Sequence, residues 1–559
     1  MRGFEMSLCR ALLLTLCVLC LPVAQSTAQS DTSRELLVSV PLQSLHQLGL
    51  TTEDTHEQLG HIRLRRAQYA ALKKQGVDVR VRAVNGVLPD VFLTPYEIDT
   101  EMKRLAKTYP DRVERVNLTQ RFNMPKTHEG RSLYALRLRA QRGGEDKNAP
   151  RPVVLFDSLH HARELITPMI TLRAAKQLVE GFGRDEEVTA WLRQYEIWIV
   201  PVVNPDGYAY VFSDNPFWRK NRRPNPDGSF GVDLNRNYPY QWGQCGSNSD
   251  KGASEVYKGS AASSEPEIQT MIALGKALRP YLYLTYHSYG NEVVRPYMCR
   301  TSSQESMIKK ICQELLFSSG YQNRTASSSG ESFEHFYSQF NSFSLLIEVG
   351  DAFHPEENKI EGFLSKADET WKTMLKRGLQ AGLFVGVRDK KSGAPLDATF
   401  SLAPLKHHLD DVRKTRTDGS FHMLLSPGTY TLQVKVDGYG LLSKQIEVTE
   451  KEPLRLDILL QKQGSVDDTL ESVSERGAER SVDDGVMSQE EIMIETIQEA
   501  SKERHKDAGY IHEGVLERDG QQEFAGCSCS GSREERPFSV VWGVLLLWGY
   551  WVSRKRKKR

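Results

Sequence analysis

The chain has 559 residues, a formal net charge of +1 and 39% hydrophobic residues. That length is too great for one hydrophobic core and predicts about three or four regions of roughly 100–200 residues. The near-zero charge removes any overall basic character that would point to nucleic acid, and the apolar content is ordinary for a globular protein.

Residues 1–28 run from Arg2 and Arg10 through ALLLTLCVLCLPVA to Ser26-Thr27-Ala28. A basic start, an apolar block short for a membrane span and small residues at its end predict a secretory signal, cleaved after Ala28 or Ala24. Export sorts the eight cysteines. Cys9, Cys17 and Cys20 leave with the signal, and Cys527 and Cys529 belong to the tail. Cys245, Cys299 and Cys312 remain in the main body, which allows one bridge and one free thiol in a pairing the sequence leaves open. Residues 29–92 mix strand-like and helix-like pieces (ELLVSVPL, RAQYAALKKQG, VDVRVRAV) and predict a small N-terminal or pro-region without chemistry of its own.

At Thr94-Pro95-Tyr96-Glu97 a helix start opens the next region: a capping threonine, proline at the first helical position and an acid in the first turn. Apolar strand runs then alternate with helical runs: RPVVLFDS, TPMITLRAAKQLVEGF, YEIWIVPVVN, EPEIQTMIALGKAL, YLYLTYHS. This predicts an α/β domain with a mixed or mostly parallel sheet over residues 93–380. Residues 383–462 hold short alternating strands with tight turns at Asp418-Gly419 and Pro427-Gly428, which predicts a small all-β sandwich. In TYTLQVKV, Tyr430, Leu432, Val434 and Val436 fall on one face. Residues 463–525 are polar and poor in aromatics and read as a flexible stalk, with a helix at SQEEIMIETIQEASKE.

Residues 526–559 carry Gly526-Cys527-Ser528-Cys529, an apolar run at 537–552 and SRKRKKR. The run is shorter than the roughly 20 residues a spanning helix needs. Its Trp542, Trp548, Tyr550 and Trp551 suit interfaces, and the basic cluster suits the cytoplasmic side. The order of the three parts resembles the C-terminal sorting tails of Gram-negative bacteria. That resemblance implies cutting near the cysteine and transfer to the cell surface, with transient attachment to a membrane; a plain C-terminal anchor is the alternative.

The chemistry gathers at strand ends. LHHARELI follows the apolar run ending at Ser158, where α/β folds place their sites. A catalytic zinc takes three protein ligands and keeps one open position. The His-x-x-Glu spacing selects His161 with Glu164, because Arg163 stands three residues after His160. His287, at the end of YLYLTY, is the best third ligand; His335 lies in a helical stretch, and His407 and His408 lie in the β-rich domain. Glu348 sits in the apolar strand FSLLIEVGD, where a carboxylate is costly unless paired or functional. Burial there raises its pKa toward that of a general base.

His161-Ala-Arg-Glu164, WRKNRR, Asp-Leu-Asn-Arg-Asn, Thr-Tyr-His-Ser-Tyr and Ile-Glu-Val stand in one order, with YKGSAASSEPE as a sixth motif. Together, over about residues 95–380, they resemble the zinc carboxypeptidases of the carboxypeptidase A type. The resemblance implies one zinc ion per catalytic domain, held by His161, Glu164 and His287, with Asp233 supporting the ring of His161. It makes Glu348 the base that takes a proton from the zinc-bound water, and Arg219 the group that polarises the scissile carbonyl. Asn235 and Arg236 would hold the free C-terminal carboxylate of a peptide or protein, since the arginine fork is planar, and Arg163 would assist. The family's capping tyrosine aligns with Ala326, with Tyr321 nearby. Its side-chain-selecting position aligns with Phe333, flanked by Glu331 and Glu334, which suggests an apolar or small terminal residue. The sandwich resembles the transthyretin-like domain of the regulatory carboxypeptidases. The alternatives are a zinc amidase on peptidoglycan or acyl-amino acids, and a catalytically weak surface binding protein. No feature calls for a nucleic-acid partner.

Overall fold

The computed structural model describes residues 91–463 except 142–149, 407 and 409–410, together with residues 72, 77, 88 and 89 and five outlying strands. The expected signal, most of the helical piece RAQYAALKKQG, most of the stalk and the whole C-terminal tail lie outside the described residues. Among the described residues no helix is long and apolar enough to cross a membrane.

The N-terminal region forms a four-stranded antiparallel sheet of β1 (Glu35–Pro41), β2 (Asp54–His56), β3 (Leu59–Arg65) and β4 (Arg80–Val84), in the order β2-β3-β1-β4. ELLVSVPL and VDVRVRAV supply β1 and β4, as expected. LGHIRLR adds β3, a strand outside those expected pieces.

Helix α1 (Pro95–Thr108) then begins at the expected cap. Thr94 Oγ1 accepts from the Glu97 N–H, and the Glu97 carboxylate accepts from the Thr94 N–H at 2.7 Å. Its Ile98, Met102 and Leu105, spaced by four and three, turn one stripe inward. The chain continues through β5 (Val113–Asn117), α2 (Leu118–Arg121), β6 (Tyr134–Leu138) and β7 (Val153–Ser158). Next come α3 (Thr167–Gly181), α4 (Glu186–Gln194), β8 (Glu196–Val200) and α5 (Pro205–Ser213). After a long irregular stretch follow α6 (Pro266–Leu278), β9 (Leu282–His287), β10 (Glu292–Arg295), α7 (Glu305–Ser319) and β11 (Gln322–Thr325). The domain closes with α8 (Ser332–Phe340), β12 (Phe343–Glu348) and α9 (Glu357–Arg377).

Its eight strands make one mixed sheet in the order β11-β10-β12-β9-β7-β8-β6-β5. The central four, β12-β9-β7-β8, are parallel. Their residues are almost all buried, as continuous apolar strands covered on both faces must be. Alternate residues of β7 serve opposite cores. Val154 and Phe156 pack with Ile170, Leu178 and Trp371 of α3 and α9. Val153 and Leu155 pack with Ile268, Met271 and Phe336 of α6 and α8. The chain passes from β7 to β8 on one side and later to β9 on the other. The carboxyl ends of β7 and β9 therefore flank a crevice of the kind in which open α/β sheets bind ligands.

Of the body cysteines, Cys245 and Cys299 are bonded, with their Cα atoms 5.8 Å apart. Cys312 is buried and free.

The expected sandwich consists of β13 (Leu383–Asp389), β14 (Thr399–Ala403), β15 (Ser420–Met423), β16 (Gly428–Lys435), β17 (Leu442–Val448), β18 (Leu454–Leu460) and β19 (Ser472–Glu475). The sheets β15-β13-β18-β19 and β14-β16-β17 close over one core. Tyr430, Leu432, Val434 and Val436 are all buried, as their alternation predicted. β19 falls in the stretch expected to be stalk; it pairs with β18 and brings Val473 against the core.

Candidate active site

His161 and Glu164 stand in the turn between β7 and α3. Leu159, at φ 61°, turns the chain off the strand. The loop is held from outside: Asn204 Nδ2 donates to the His160 carbonyl at 3.1 Å, and the Ala162 N–H donates to the Arg219 carbonyl at 2.9 Å. The adjacent histidines go separate ways. His160 Nε2 lies 2.9 Å from the Tyr238 hydroxyl, and its ring stacks on His287 at 5.4 Å between centroids. His161 turns its Nδ1 to Glu164 Oε1 at 2.7 Å and to His287 Nδ1 at 3.1 Å. His287 ends β9, and its Nδ1 is 3.1 Å from Glu164 Oε2. That oxygen also accepts from the Ser288 N–H at 3.1 Å.

Two imidazole nitrogens and one carboxylate thus converge, with their ligand atoms all within 4.8 Å of one another. This N, N, O set is the donor chemistry of a catalytic zinc site. It also has the support such a site needs: His161 Nε2 meets Asp233 Oδ1 at 3.1 Å, so Nδ1 is left facing the cluster. Burial disfavours the charged forms here, yet His161 and His287 hold the Glu164 carboxyl below its ordinary range. The ring of His287 is itself pushed down by burial.

Asp233 is fully buried at the start of the turn Leu234–Arg236 and ties three groups together. Oδ1 also accepts from the Asn235 N–H at 3.0 Å, and Oδ2 accepts from Arg219 Nε and Nη2 at 3.1 and 2.9 Å. Burial opposes its charge, but Arg219 and His161 outweigh it and keep the carboxyl well below the usual range. Arg236 Nε donates to the Ser247 carbonyl at 2.8 Å, and its Nη1 donates to the Asn235 carbonyl at 2.8 Å and to Glu331 Oε1 at 3.0 Å. Asn235 Oδ1 accepts from the Ser332 N–H at 2.9 Å.

Glu348 ends β12, directly beside His287 in the parallel register. Its side chain is 17% exposed, with Arg324 Nη2 3.8 Å from Oε1. Oε2 is buried and lacks a partner among the described residues. Burial and then the nearby Glu164 raise its pKa well above the carboxylate value, with Arg324 and Arg219 opposing.

A cavity of about 390 Å³ opens onto these groups. It joins His161, Glu164, His287, Arg219, Asn235, Arg236 and Glu348, with Asp233 behind them. The remaining assigned residues stand elsewhere. Arg163 donates to the Phe217 carbonyl at 3.3 Å and lies 4.2 Å over the Phe353 ring, so it backs a wall of the cavity rather than lining it. Phe333 is not in the cavity at all. With Phe336 and Phe340 it forms an i, i+3, i+7 stripe that turns α8 onto the core, and it is 0% exposed. Ala326 and Tyr321 are likewise buried and take no part. The cavity is instead completed by Glu331, Arg324, Ser327, Val294 and Leu346, with Tyr289 and Phe353 among its lining. The helical period of Phe333, Phe336 and Phe340 was the sequence signal that Phe333 faces inward and Glu331 does not share its face.

Residues 98–373 match the zinc carboxypeptidase family, and residues 421–464 match the PEGA domain. Among curated proteins, the chain is 41% identical over 177 residues to "Metallocarboxypeptidase A" of Arthroderma otae, covering 31% of this chain and 41% of that one. It is 34% identical over 199 residues to "Carboxypeptidase A4" of Mus musculus, covering 35% and 44%. The chain thus spans less than half the length of the curated relatives it matches. Among solved structures, carboxypeptidase A from Helicoverpa armigera is 21% identical, covers 61% of this chain and 95% of its own, and has a TM-score of 0.44.

Proposed function

We propose that the zinc carboxypeptidase domain carried at residues 98–373 hydrolyses the last peptide bond of peptides or proteins. The observation that carries this reading is the shared cavity: the His161, Glu164, His287 donor set, the half-buried carboxylate Glu348 and the Asn235-Arg236 pair all face it. His161, Glu164 and His287 would hold one zinc ion, which when bound supplies Lewis-acid polarisation of the scissile carbonyl and of water.

The chain's own groups do the rest. Glu348, its pKa raised by burial, accepts a proton from the attacking water and returns it to the leaving amine. Arg219 is held by Asp233 and aims a fixed positive charge at the carbonyl oxygen as that oxygen gains charge. Asn235 and Arg236 bind the terminal carboxylate and set which peptide bond reaches Glu348. A substrate without a free C-terminus forgoes that contact. For this reason an amidase acting on peptidoglycan is not favoured.

We further read residues 1–28 and 526–559 as export and surface-attachment signals, and the β-sandwich as a supporting domain of transthyretin-like kind. These readings rest on the residue patterns alone.

The test is incubation of the purified chain with a peptide panel, with and without a chelator, followed by mass spectrometry. Stepwise C-terminal shortening that the chelator stops and zinc restores is the expected result. Intact peptides in the presence of zinc, or internal cleavage, would overturn the reading.

A further inference from the structure

Glu331 is the acid in the cavity whose role the hydrolytic chemistry leaves open. It stands at the start of α8, 3% exposed, and lines the cavity beside Arg236. Its position is built rather than incidental. Gly330 lies at φ +80°, where a Cβ would come 2.7 Å from the Arg236 carbonyl oxygen. The Tyr238 N–H donates to the Gly330 carbonyl at 3.1 Å, and the Ser332 N–H donates to Asn235 Oδ1 at 2.9 Å. The backbone on both sides of Glu331 is therefore stitched to the loop that carries Arg236, and Arg236 Nη1 reaches Glu331 Oε1 at 3.0 Å.

Charge accounting then constrains the substrate. Each of the other cations at the cavity has its own carboxylate: Arg219 holds Asp233, and Arg324 holds Glu292. Arg236 holds Glu331. When a substrate carboxylate takes Arg236, Glu331 must share its cation while itself buried, and a buried charge that loses its partner is costly. A terminal lysine or arginine removes this cost. Its carboxylate satisfies Arg236 and its side-chain cation satisfies Glu331, so two ion pairs replace one. The lining suits such a side chain: Val294 and Leu346 can take the methylene stem while the head reaches the acid. Glu334, three residues on, is no rival. It is absent from the cavity lining, and burial, then Glu331, pushes its pKa to about 8.

We propose that Glu331 is a specificity-determining residue that selects peptides ending in lysine or arginine. This rests on the carboxypeptidase reading above and replaces the apolar or small preference that Phe333 had suggested.

The test is a set of peptides differing only in the last residue, lysine, arginine, leucine or phenylalanine. They are given to the zinc-loaded full chain and to Glu331→Gln and Glu331→Ser. The readout is the ratio of kcat/KM for basic over apolar endings. The wild type is expected to favour the basic endings about ten- to hundredfold, the ratio equivalent to a hydrogen bond to a charged group. Both substitutions should lower that ratio by a similar factor. A residue that merely propped Arg236 would instead lower turnover of all four peptides together and leave the ratio unmoved, which overturns the proposal. So does a wild type that prefers leucine or phenylalanine, although the carboxypeptidase reading then survives. If the wild type shortens none of the four, the carboxypeptidase reading fails and the selection falls with it. The wild-type panel decides the preference even if neither variant folds.

Discussion

Asp233→Asn is the most informative single change, because one buried carboxylate holds the ring of His161, the guanidinium of Arg219 and the Asn235 N–H, three groups to which the proposed function gives work. Asparagine keeps the size but has one acceptor oxygen. If that oxygen serves His161, the amide NH2 faces the Arg219 guanidinium, donor against donor. Two charge-assisted bonds from Arg219 are lost, at about 1.5–3 kcal/mol each. The side chains of Asp233 and Arg219 are 0% and 12% exposed, so solvent does little to replace them. Breaking a buried pair on one side costs about 3–5 kcal/mol, in agreement with that sum. Loss of the support to His161 should weaken zinc about 10- to 100-fold. With Arg219 misplaced, turnover should fall by a further factor of about 100 or more. Chemical denaturation gives the first quantity, chelator competition the second, and kcat/KM at saturating zinc the third. If Asp233→Asn keeps its stability within about 1 kcal/mol and its zinc affinity within about twofold, the hub role assigned to Asp233 is refuted.

Other changes probe separate parts. Glu348→Gln should lower kcat by about 100- to 10,000-fold while leaving zinc content intact, measured by metal analysis beside turnover; comparable turnover would remove Glu348 as the base. Replacing Cys245 and Cys299 by serine opens a link across a sequence separation of 54 residues and should cost about 4 kcal/mol in denaturant unfolding, whereas Cys312→Ser should leave the bridge in place. Glu267 gives a pH signature. Burial, then Glu265, raises its pKa to about 8 from an ordinary value of 4.5. The folded state therefore holds a proton the unfolded chain releases, and the stability this contributes is full below 4.5 and is lost as pH rises toward 8, by about 1.4 kcal/mol per unit. Glu267→Gln should flatten that decline, and unchanged curves for wild type and variant would show that Glu267 is ionised in the fold. Phe333→Ala should destabilise the protein by about 3–5 kcal/mol, as a core truncation does, without changing the terminal-residue preference of the remaining folded enzyme.

What the sequence determined by itself were the features set by local chemistry. The α1 cap, the buried parallel strands and the alternating face of β16 are each written in neighbouring residues, through a proline, a continuous apolar run or a period of two. The residues that meet at the cavity were legible for a related reason. A charged or ionisable side chain at the end of an apolar strand has few explanations, and His161, Glu164, His287 and Glu348 all stand at or just after such ends. The tertiary structure alone decided which groups meet across the loops. Cys245 pairs with Cys299 rather than Cys312 because the fold brings the first two Cα atoms to 5.8 Å, while Cys312 is buried on the inner face of α7. Glu331 faces Arg236, 95 positions away in the chain, because Gly330 lets two backbones touch. Phe333 looked like the selecting residue by its distance from Glu348, yet the helix it belongs to turns it into the core. Distance along a chain preserves order but not direction, and the direction of a side chain is set by the packing of the element that carries it.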